Sequence, residues 1–445
     1  MRMCLTSDVG GYYTGGIEKD RDQFGRKGDF ITSPEISQVF GELIGIWFVA
    51  EWMSQGQPKR GVELIEVGPG RGTLMDDILR TIRNFKDMAN SIDAVYMVEA
   101  SKELRATQKD LLCGHDAVMK ESKEGYHSQC KYSDIPIVWA ETIKAIPQNP
   151  SKTPFIVAHE FFDALPIHAF QVVEVPPTQH PATASGSPRA ASSNTKTTTL
   201  QWREMVVSPT PAGATHQTLG TPPSEQRDPV PEFQLTRSPA ATRHALYVPE
   251  SSPRYRALRS TPGALIEVCP DAALYASDFA ARIGGSPRHP KARPSGAALV
   301  LDYGPADTVP ANSLRGISRH RRVSPFAAPG RVDLSADVDF VAVAEAATRA
   351  SDGVEVHGPV DQAAFLEAMG IRQRGEMLAR RVAGPAPGAA PEPEQEQRAR
   401  DIERAWKRLV DRGPDGMGKT YKALAILPEN AGKRRPVGFG GDVAV

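Results

Sequence analysis

The residues best placed to do chemistry are an acid and three glycines, in the run Glu66-Val67-Gly68-Pro69-Gly70-Arg71-Gly72. Glycine at every second position lets a ligand touch the backbone, because no Cβ stands in the way and positive φ is cheap only for glycine. Leu74, Ile78, Leu79 and Ile82 follow at helical spacing. The turn therefore opens a helix whose free N–H groups suit a nucleotide or a carboxylate. A dinucleotide fingerprint reads Gly-x-Gly-x-x-Gly; here the third glycine comes one position early and Pro69 separates the first two, which argues against an NAD-dependent oxidoreductase. Three more carboxylates stand just after apolar runs: Glu99 after Ala94–Val98, and Glu160 and Asp163 after Pro154–Ala158.

Such groups act together only if strands end side by side. Val62–Val67, Ala94–Val98, Ile135–Trp139, Phe155–Ala158 and Gly296–Gly304 have the apolar composition of buried strands, and in a doubly wound sheet the functional residues lie just past the carboxyl ends. A helix is expected to begin at Ser33, with Ser33 as N-cap, Pro34 in the first position and Glu35 in the first turn. Ile36, Val39, Phe40, Leu43 and Trp47 share one face of it, suited to lying on the sheet.

The pattern Glu-x-Gly-x-Gly-x-Gly resembles the first motif of the Rossmann-like S-adenosylmethionine (SAM) methyltransferases. In that class the turn carries the methionine part of SAM, and an acid ending the next strand, here Glu99, holds the ribose hydroxyls. The alternative is a purely structural strand–helix joint; Glu66 and Glu99 standing in register favour the cofactor.

At 445 residues the chain fits one large α/β domain with insertions. Basic and acidic residues balance at 53 each and are dispersed, so nothing points to nucleic acid. The four cysteines form no Cys-x-x-Cys pair and the histidines carry no metal-ligand spacing, so no metal is expected. The longest apolar run, Ile44–Ala50, is too short to cross a bilayer. No Arg-rich presequence precedes Cys4-Leu5, and the chain is expected to start at an internal methionine of a longer gene.

Four regions are expected. Residues 1–60 form a helical part packed on the core, and 61–175 the first part of a SAM-binding sheet. Residues 176–290 form an inserted hairpin and substrate region with disordered loops, and 291–445 the rest of the core and its edge strands. Within the insertion, Ile167–Val175 and Leu200–Val207 read as a hairpin. The tracts Pro176–Thr199 and Ser208–Val230 hold too few apolar residues to offset the entropy of ordering and read as disordered loops. Leu265–Pro270 reads as a strand, Ala272–Ile283 as a helix, Arg319–Arg322 as a solvated loop, and Tyr421–Pro428 as the last antiparallel edge strand after a Pro-, Ala- and Glu-rich stretch, Gly384–Glu396.

The motifs Gly28–Ser37, Glu66–Leu74, His159–Pro166, Glu267–Pro270, Asp302–Gly304 and Asp333–Phe340 occur in the order found in the MidA-like family of mitochondrial protein arginine methyltransferases, which the chain resembles over about residues 1 to 430. The resemblance implies an α/β fold of the Rossmann-like class I SAM methyltransferase kind. It also implies an enzyme of the mitochondrial matrix that symmetrically dimethylates an arginine on a core subunit of respiratory complex I and supports its assembly. It adds Thr32 and Ser33 to the cofactor-binding set of Glu66, Gly68, Gly70, Gly72 and Glu99. The candidates to bind a charged guanidinium and raise electron density on its attacking nitrogen are Glu160 and, more weakly, Asp163. A SAM-fold chaperone without catalysis is the alternative, and a homodimer is left open.

Overall fold

Val62–Val67 is buried at all six positions, as a strand must be when parallel neighbours flank it and helices cover its faces. It is β1 of a computed structural model that describes residues 1–15, 23, 25, 28–176, 198–223, 225–384 and 393–441. In chain order the further strands are β2 (Ile92–Val98), β3 (Lys120–Ser122), β4 (Gly125–Gln129), β5 (Pro136–Ala140), β6 (Thr153–His159), β7 (His168–Val175), β8 (Thr199–Pro209), β9 (Phe233–Arg237), β10 (Leu265–Val268), β11 (Ala297–Tyr303), β12 (Arg315–Ser318), β13 (Arg321–Val323), β14 (Asp333–Ser335), β15 (Val354–Asp361) and β16 (Tyr421–Pro428). The helices are α1 (Arg2–Thr6), α2 (Ser33–Ile36), α3 (Gln38–Ser54), α4 (Thr73–Ile82), α5 (Lys86–Ala89), α6 (Lys102–Cys113), α7 (His216–Leu219), α8 (Arg243–Tyr247), α9 (Pro253–Leu258), α10 (Pro270–Gly284), α11 (Phe340–Ala350), α12 (Gln362–Ala368), α13 (Ile371–Ala383) and α14 (Pro393–Val410).

Two units form: Met1–Pro166 with Asp271–Thr308 and Leu314–Val445, and Ile167–Pro270 with Val309–Ser313. The first holds a nine-stranded sheet in the order β15-β16-β11-β6-β1-β2-β5-β4-β3. From β11 to β5 the neighbours are parallel, while β16 runs antiparallel to both β11 and β15 and β4 runs antiparallel to β5. The chain leaves β1 for β2 on one side and returns to β6 on the other, so the carboxyl end of β1 is a topological switch point, where open α/β sheets bind their ligands. Register then fixes what meets there. Val67 pairs with Val98 and with Ala158, and His159 pairs with Leu301, so Gly68, Glu99, Glu160 and Asp302 emerge along one edge. The second unit is built on the four-stranded antiparallel sheet β10-β7-β8-β9.

The N-terminal helical segment differs from the expectation in two respects. Thr32 replaces Ser33 as the N-cap, because the Glu35 carboxylate reaches back to accept the Thr32 backbone N–H at 3.2 Å, closing a capping box. Helix α2 then stops after four residues, since Ser37 is extended and its hydroxyl caps Val39 to start α3. Helix α3 buries Val39, Phe40, Leu43, Ile44, Trp47 and Phe48 in the same apolar cluster as Leu64 and Phe155 of the sheet.

Three other expectations are corrected. Strand β16 is not an edge strand, because β15 covers it; Gly358 and Pro359 inside β15 hide its alternation and accompany a register irregularity between His357 and Val360. The described residues of Ser208–Val230 are ordered, though polar: β8 continues to Pro209 against β9, Thr215 and Thr218 cap α7 reciprocally, and His216 Nε2 lies 2.9 Å from the Asp228 carbonyl. Caps satisfy that backbone where apolar burial does not, and composition is blind to them. The end of the Gly384–Glu396 stretch already belongs to α14, whose Glu394–Arg398 and Glu396–Arg400 pairs sit at helical spacing. Residues 177–197, the bulk of the first low-complexity tract, lie outside the described residues. Arg319 and His320 form the β12–β13 turn at positive φ, its backbone fastened by the Arg319 N–H to Asp29 Oδ1 at 2.8 Å. Among the described residues no helix is long and apolar enough to cross a membrane.

Helices α3 and α4 approach so closely that a Cβ on Gly41 would lie 2.4 Å from Asp77 Cβ. In an open helix Gly→Ala gains up to about 1 kcal/mol, whereas overpacking costs typically about 1–3 kcal/mol. Gly41→Ala should therefore lower the thermal midpoint; a rise would mean that the two helices are spaced further apart than described.

Candidate active site

The glycine turn needs its glycines. Gly68, Gly70 and Gly72 all have positive φ, +67°, +52° and +84°, and a Cβ on Gly68 would strike Phe161 Cδ2 at 2.5 Å. Gly72 is the N-cap of α4. One buried amide ties this turn to the next strand: Gln108 on α6 donates to the Gly70 carbonyl at 2.7 Å and to Glu99 Oε2 at 3.3 Å, while its Oε1 accepts the Trp139 indole N–H at 2.9 Å. Glu99 also accepts the Ser101 N–H at 2.8 Å, yet burial outweighs these bonds and pushes its carboxyl up to about 7. Glu66 is 2% exposed and its Oε2 has no hydrogen-bond partner among the described residues. Burial drives it well above the ordinary carboxylate range, against the opposing Met75 backbone N–H, with the Glu99 charge adding to the rise.

The other half of the site is built on the end of β6. Glu160 sits at φ +48°, a left-handed conformation that costs a non-glycine residue about 1–3 kcal/mol and gathers at functional sites. The Leu301 carbonyl holds its N–H at 2.9 Å. Among the described residues its carboxylate receives the Ser33 N–H, at a long 3.4 Å. His159 Nε2 lies 3.3 Å away, but burial drives that imidazole down to about 3 and leaves it neutral, so the contact is not an ion pair. Burial, then the Asp163 charge, raises Glu160 well above its ordinary value. Asp163 accepts the Tyr303 hydroxyl, and Asp333 accepts the Tyr13 hydroxyl at 2.9 Å. Behind them Asp302 Oδ2 gathers the N–H groups of Phe161, Phe162 and Asp163 at 3.1, 2.9 and 3.4 Å. That carboxylate pins the turn that presents Glu160.

One cavity joins the two halves. Of the cofactor-binding and catalytic candidates singled out from sequence, Thr32, Glu66, Gly68, Gly70, Glu99 and Glu160 line it, and Ser33, Gly72 and Asp163 do not. Sequence reasoning did not assign Tyr13, Phe30, His159 or Tyr275 to the lining, nor a structural task to Asp302 and Gln108. Asp302 was visible only as part of a motif, and Gln108 is an ordinary polar position of an amphipathic helix.

Residues 43–360 match the family described as "Putative S-adenosyl-L-methionine-dependent methyltransferase". The chain belongs to this family. The methyltransferase is 33% identical over 431 residues to the mitochondrial protein arginine methyltransferase NDUFAF7 of Rattus norvegicus, covering 96% of this chain and 80% of that protein. It is 34% identical to the protein of the same name from Danio rerio, over 85% of this chain and 74% of that one. In fold it is similar to a superfamily protein from Burkholderia thailandensis solved with S-adenosyl-homocysteine, with a TM-score of 0.62, 22% identity, and coverage of 99% of this chain and 87% of that one.

The cofactor is SAM, and the donor set suits it. When bound, SAM supplies a methyl group made electrophilic by its sulfonium. A buried carboxyl with one oxygen unpartnered, as in Glu66, is costly, and the α-ammonium of the methionine part would give that oxygen a partner. The open backbone of Gly68 and Gly70 would pass the chain of the cofactor, and Glu99, ending β2, would take the ribose hydroxyls.

Two outcomes follow. Valine at position 70 places a branched side chain on a backbone with positive φ beside the cofactor path, so Gly70→Val should lose SAM binding in calorimetry while keeping its far-UV spectrum; unchanged affinity would remove the turn from the cofactor site. The second concerns pH. Glu99 and Asp333, each raised to about 7 chiefly by burial, hold protons in the folded chain that the unfolded chain has released, so the stability they contribute is full below the unfolded carboxylate pKa and is lost as pH rises through about 7. The ligand-free protein should melt at a higher temperature at pH 5 than at pH 8, and a flat or rising profile would contradict this.

Proposed function

We propose that the methyltransferase acts on arginine, symmetrically dimethylating the side chain of an arginine on a core subunit of mitochondrial complex I in the matrix, and so supports assembly of that complex. The observation that carries the arginine is Glu160: a buried carboxyl in a strained backbone conformation, at the edge shared with the glycine turn, with further carboxyls behind it. The names of the relatives, mitochondrial protein arginine methyltransferases, support the same reading.

Methyl transfer to a guanidinium is an in-line displacement: the nitrogen lone pair forms a bond to the methyl carbon, the carbon–sulfur bond breaks, and its electron pair stays on sulfur. Alignment and exclusion of water supply most of the acceleration. A guanidinium is planar, always charged in water, and presents paired N–H donors to a carboxylate. Entry of that cation would reverse the rise of Glu160, ionising it where it can orient the attacking nitrogen and accept the proton the nitrogen must lose. Thr32, Phe30 and Tyr13, on the N-terminal segment, wall this side of the cavity and would exclude water around the substrate.

Glutamine copies the shape of protonated Glu160 without its capacity to ionise. Glu160→Gln should therefore keep SAM affinity and thermal stability while losing about 10²–10⁴-fold in methyl transfer to a purified complex I subunit, measured with labelled SAM. Loss of SAM affinity instead would place Glu160 in the cofactor site. A wild-type protein that binds SAM and the subunit but transfers no methyl would favour the assembly chaperone.

A further inference from the structure

The second unit brings together three metal-ligating side chains that lie far apart in sequence. His168 on β7 and Glu204 on β8 are diagonal neighbours on one face of an antiparallel ladder in which Phe170 pairs with Glu204, and His244 arrives from α8. His168 Nδ1 lies 2.8 Å from Glu204 Oε1, and His244 Nδ1 lies 3.3 Å from the same oxygen. One ligand atom from each residue falls within 4.8 Å of the others. The imidazole centroids are 4.3 Å apart.

We propose that His168, Glu204 and His244 form a zinc site that fastens helix α8 to the β7–β8 hairpin. Two imidazoles and one carboxylate suit zinc, which is tetrahedral at about 2.0–2.2 Å from such ligands and so holds ligand atoms about 3.3–3.5 Å apart. The two nitrogens stand 2.8 and 3.3 Å from the carboxylate oxygen, so the ligand atoms must part slightly to admit the ion. The carboxylate is already oriented from behind: Thr242 donates its hydroxyl to Glu204 Oε2, and the same oxygen of Thr242 caps α8 by accepting the Ala245 N–H at 3.1 Å. Metal-binding carboxylates are held by this kind of outer hydrogen bond. The His244 side chain is 57% exposed, which gives the ion a way in from solvent and leaves the fourth position to water.

An ion would also reinforce the polar contacts that already tie this short helix to β8. Helix α8 has five residues, far too few to be stable by its own hydrogen bonds, and it leaves Leu246 and Tyr247 exposed while burying Ala245. An ion held by His244 from α8 and by two strands would tie it down independently of any apolar contact.

The test uses the untagged full chain, freed of metal by a chelator and titrated with zinc against a chromophoric competitor. One zinc per chain is expected, with a rise in thermal midpoint on binding. Glu204→Gln and His244→Ala should each weaken binding at least tenfold, and the double variant should bind no zinc and show no thermal response. Cobalt in place of zinc should give the visible absorption of a four-coordinate ion in the wild type and not in the double variant. Failure of the wild type to bind zinc in this titration, or equal affinity in the double variant, overturns the proposal. Circular dichroism of the metal-free variants identifies any that fail to fold. Should the double variant fail to fold, the two single variants decide on the same terms. Zinc binding is read without any methyl-transfer assay, so its failure is independent of the substrate assigned above.

Discussion

The arrangement depends on the cost of removing carboxyl groups from water. Glu66, Glu99 and Glu160, along one edge of the nine-stranded sheet, and Asp333, on β14 of the three-stranded sheet, are all buried or nearly so, and burial is the largest influence on each. Such groups are expensive when charged and unpaired. In the ligand-free chain the cost is avoided by holding protons; with ligands present it is offset by cations. Both reactants of the proposed reaction are cationic, SAM through its sulfonium and ammonium and arginine through its guanidinium. A site that is uncomfortable when empty is thereby matched to the charges it receives.

That discomfort is tolerated because the surroundings are over-determined. Gln108 spends its whole amide on the Gly70 carbonyl, Glu99 and Trp139, so the turn cannot move independently of the acid on β2. Asp302 gathers three successive backbone N–H groups and holds the turn after β6 in the conformation that gives Glu160 its positive φ. The parallel registers of β1 with β2 and β6 set the distances between these groups before any ligand arrives. Hydrogen bonds to the backbone position the site, and the carboxyls that line the cavity keep their capacity for ligand.

Much of this was legible in the sequence because it rests on local chemistry. The glycines at 68, 70 and 72 announce positive φ, apolar runs announce β1, β2, β6 and β11, and an acid directly after such a run falls at the functional edge of a parallel sheet. Thr32 as a cap was missed by one residue because Ser33 is an equally good cap by type, and only the reach of Glu35 decides between them. Asp302, Gln108 and Tyr13 were not legible as site residues, since their partners lie far away in sequence and their types are common. The same holds for His168, Glu204 and His244, whose convergence depends on the pairing of β7 with β8 and on the placement of α8. Strand β15 and the ordered part of Ser208–Val230 escaped because Gly, Pro, Ser and Thr there satisfy the backbone through turns and caps, which leave no periodic apolar signal.

The cavity stores protons on its carboxyls and gives them up to cationic ligands. Calorimetric titration of SAM near pH 6.5, repeated in two buffers of different ionisation enthalpy, measures this directly. Binding should release protons to the buffer, affinity should rise with pH through this range, and Glu66→Gln should release fewer. Binding with no proton release and no dependence on pH would contradict it.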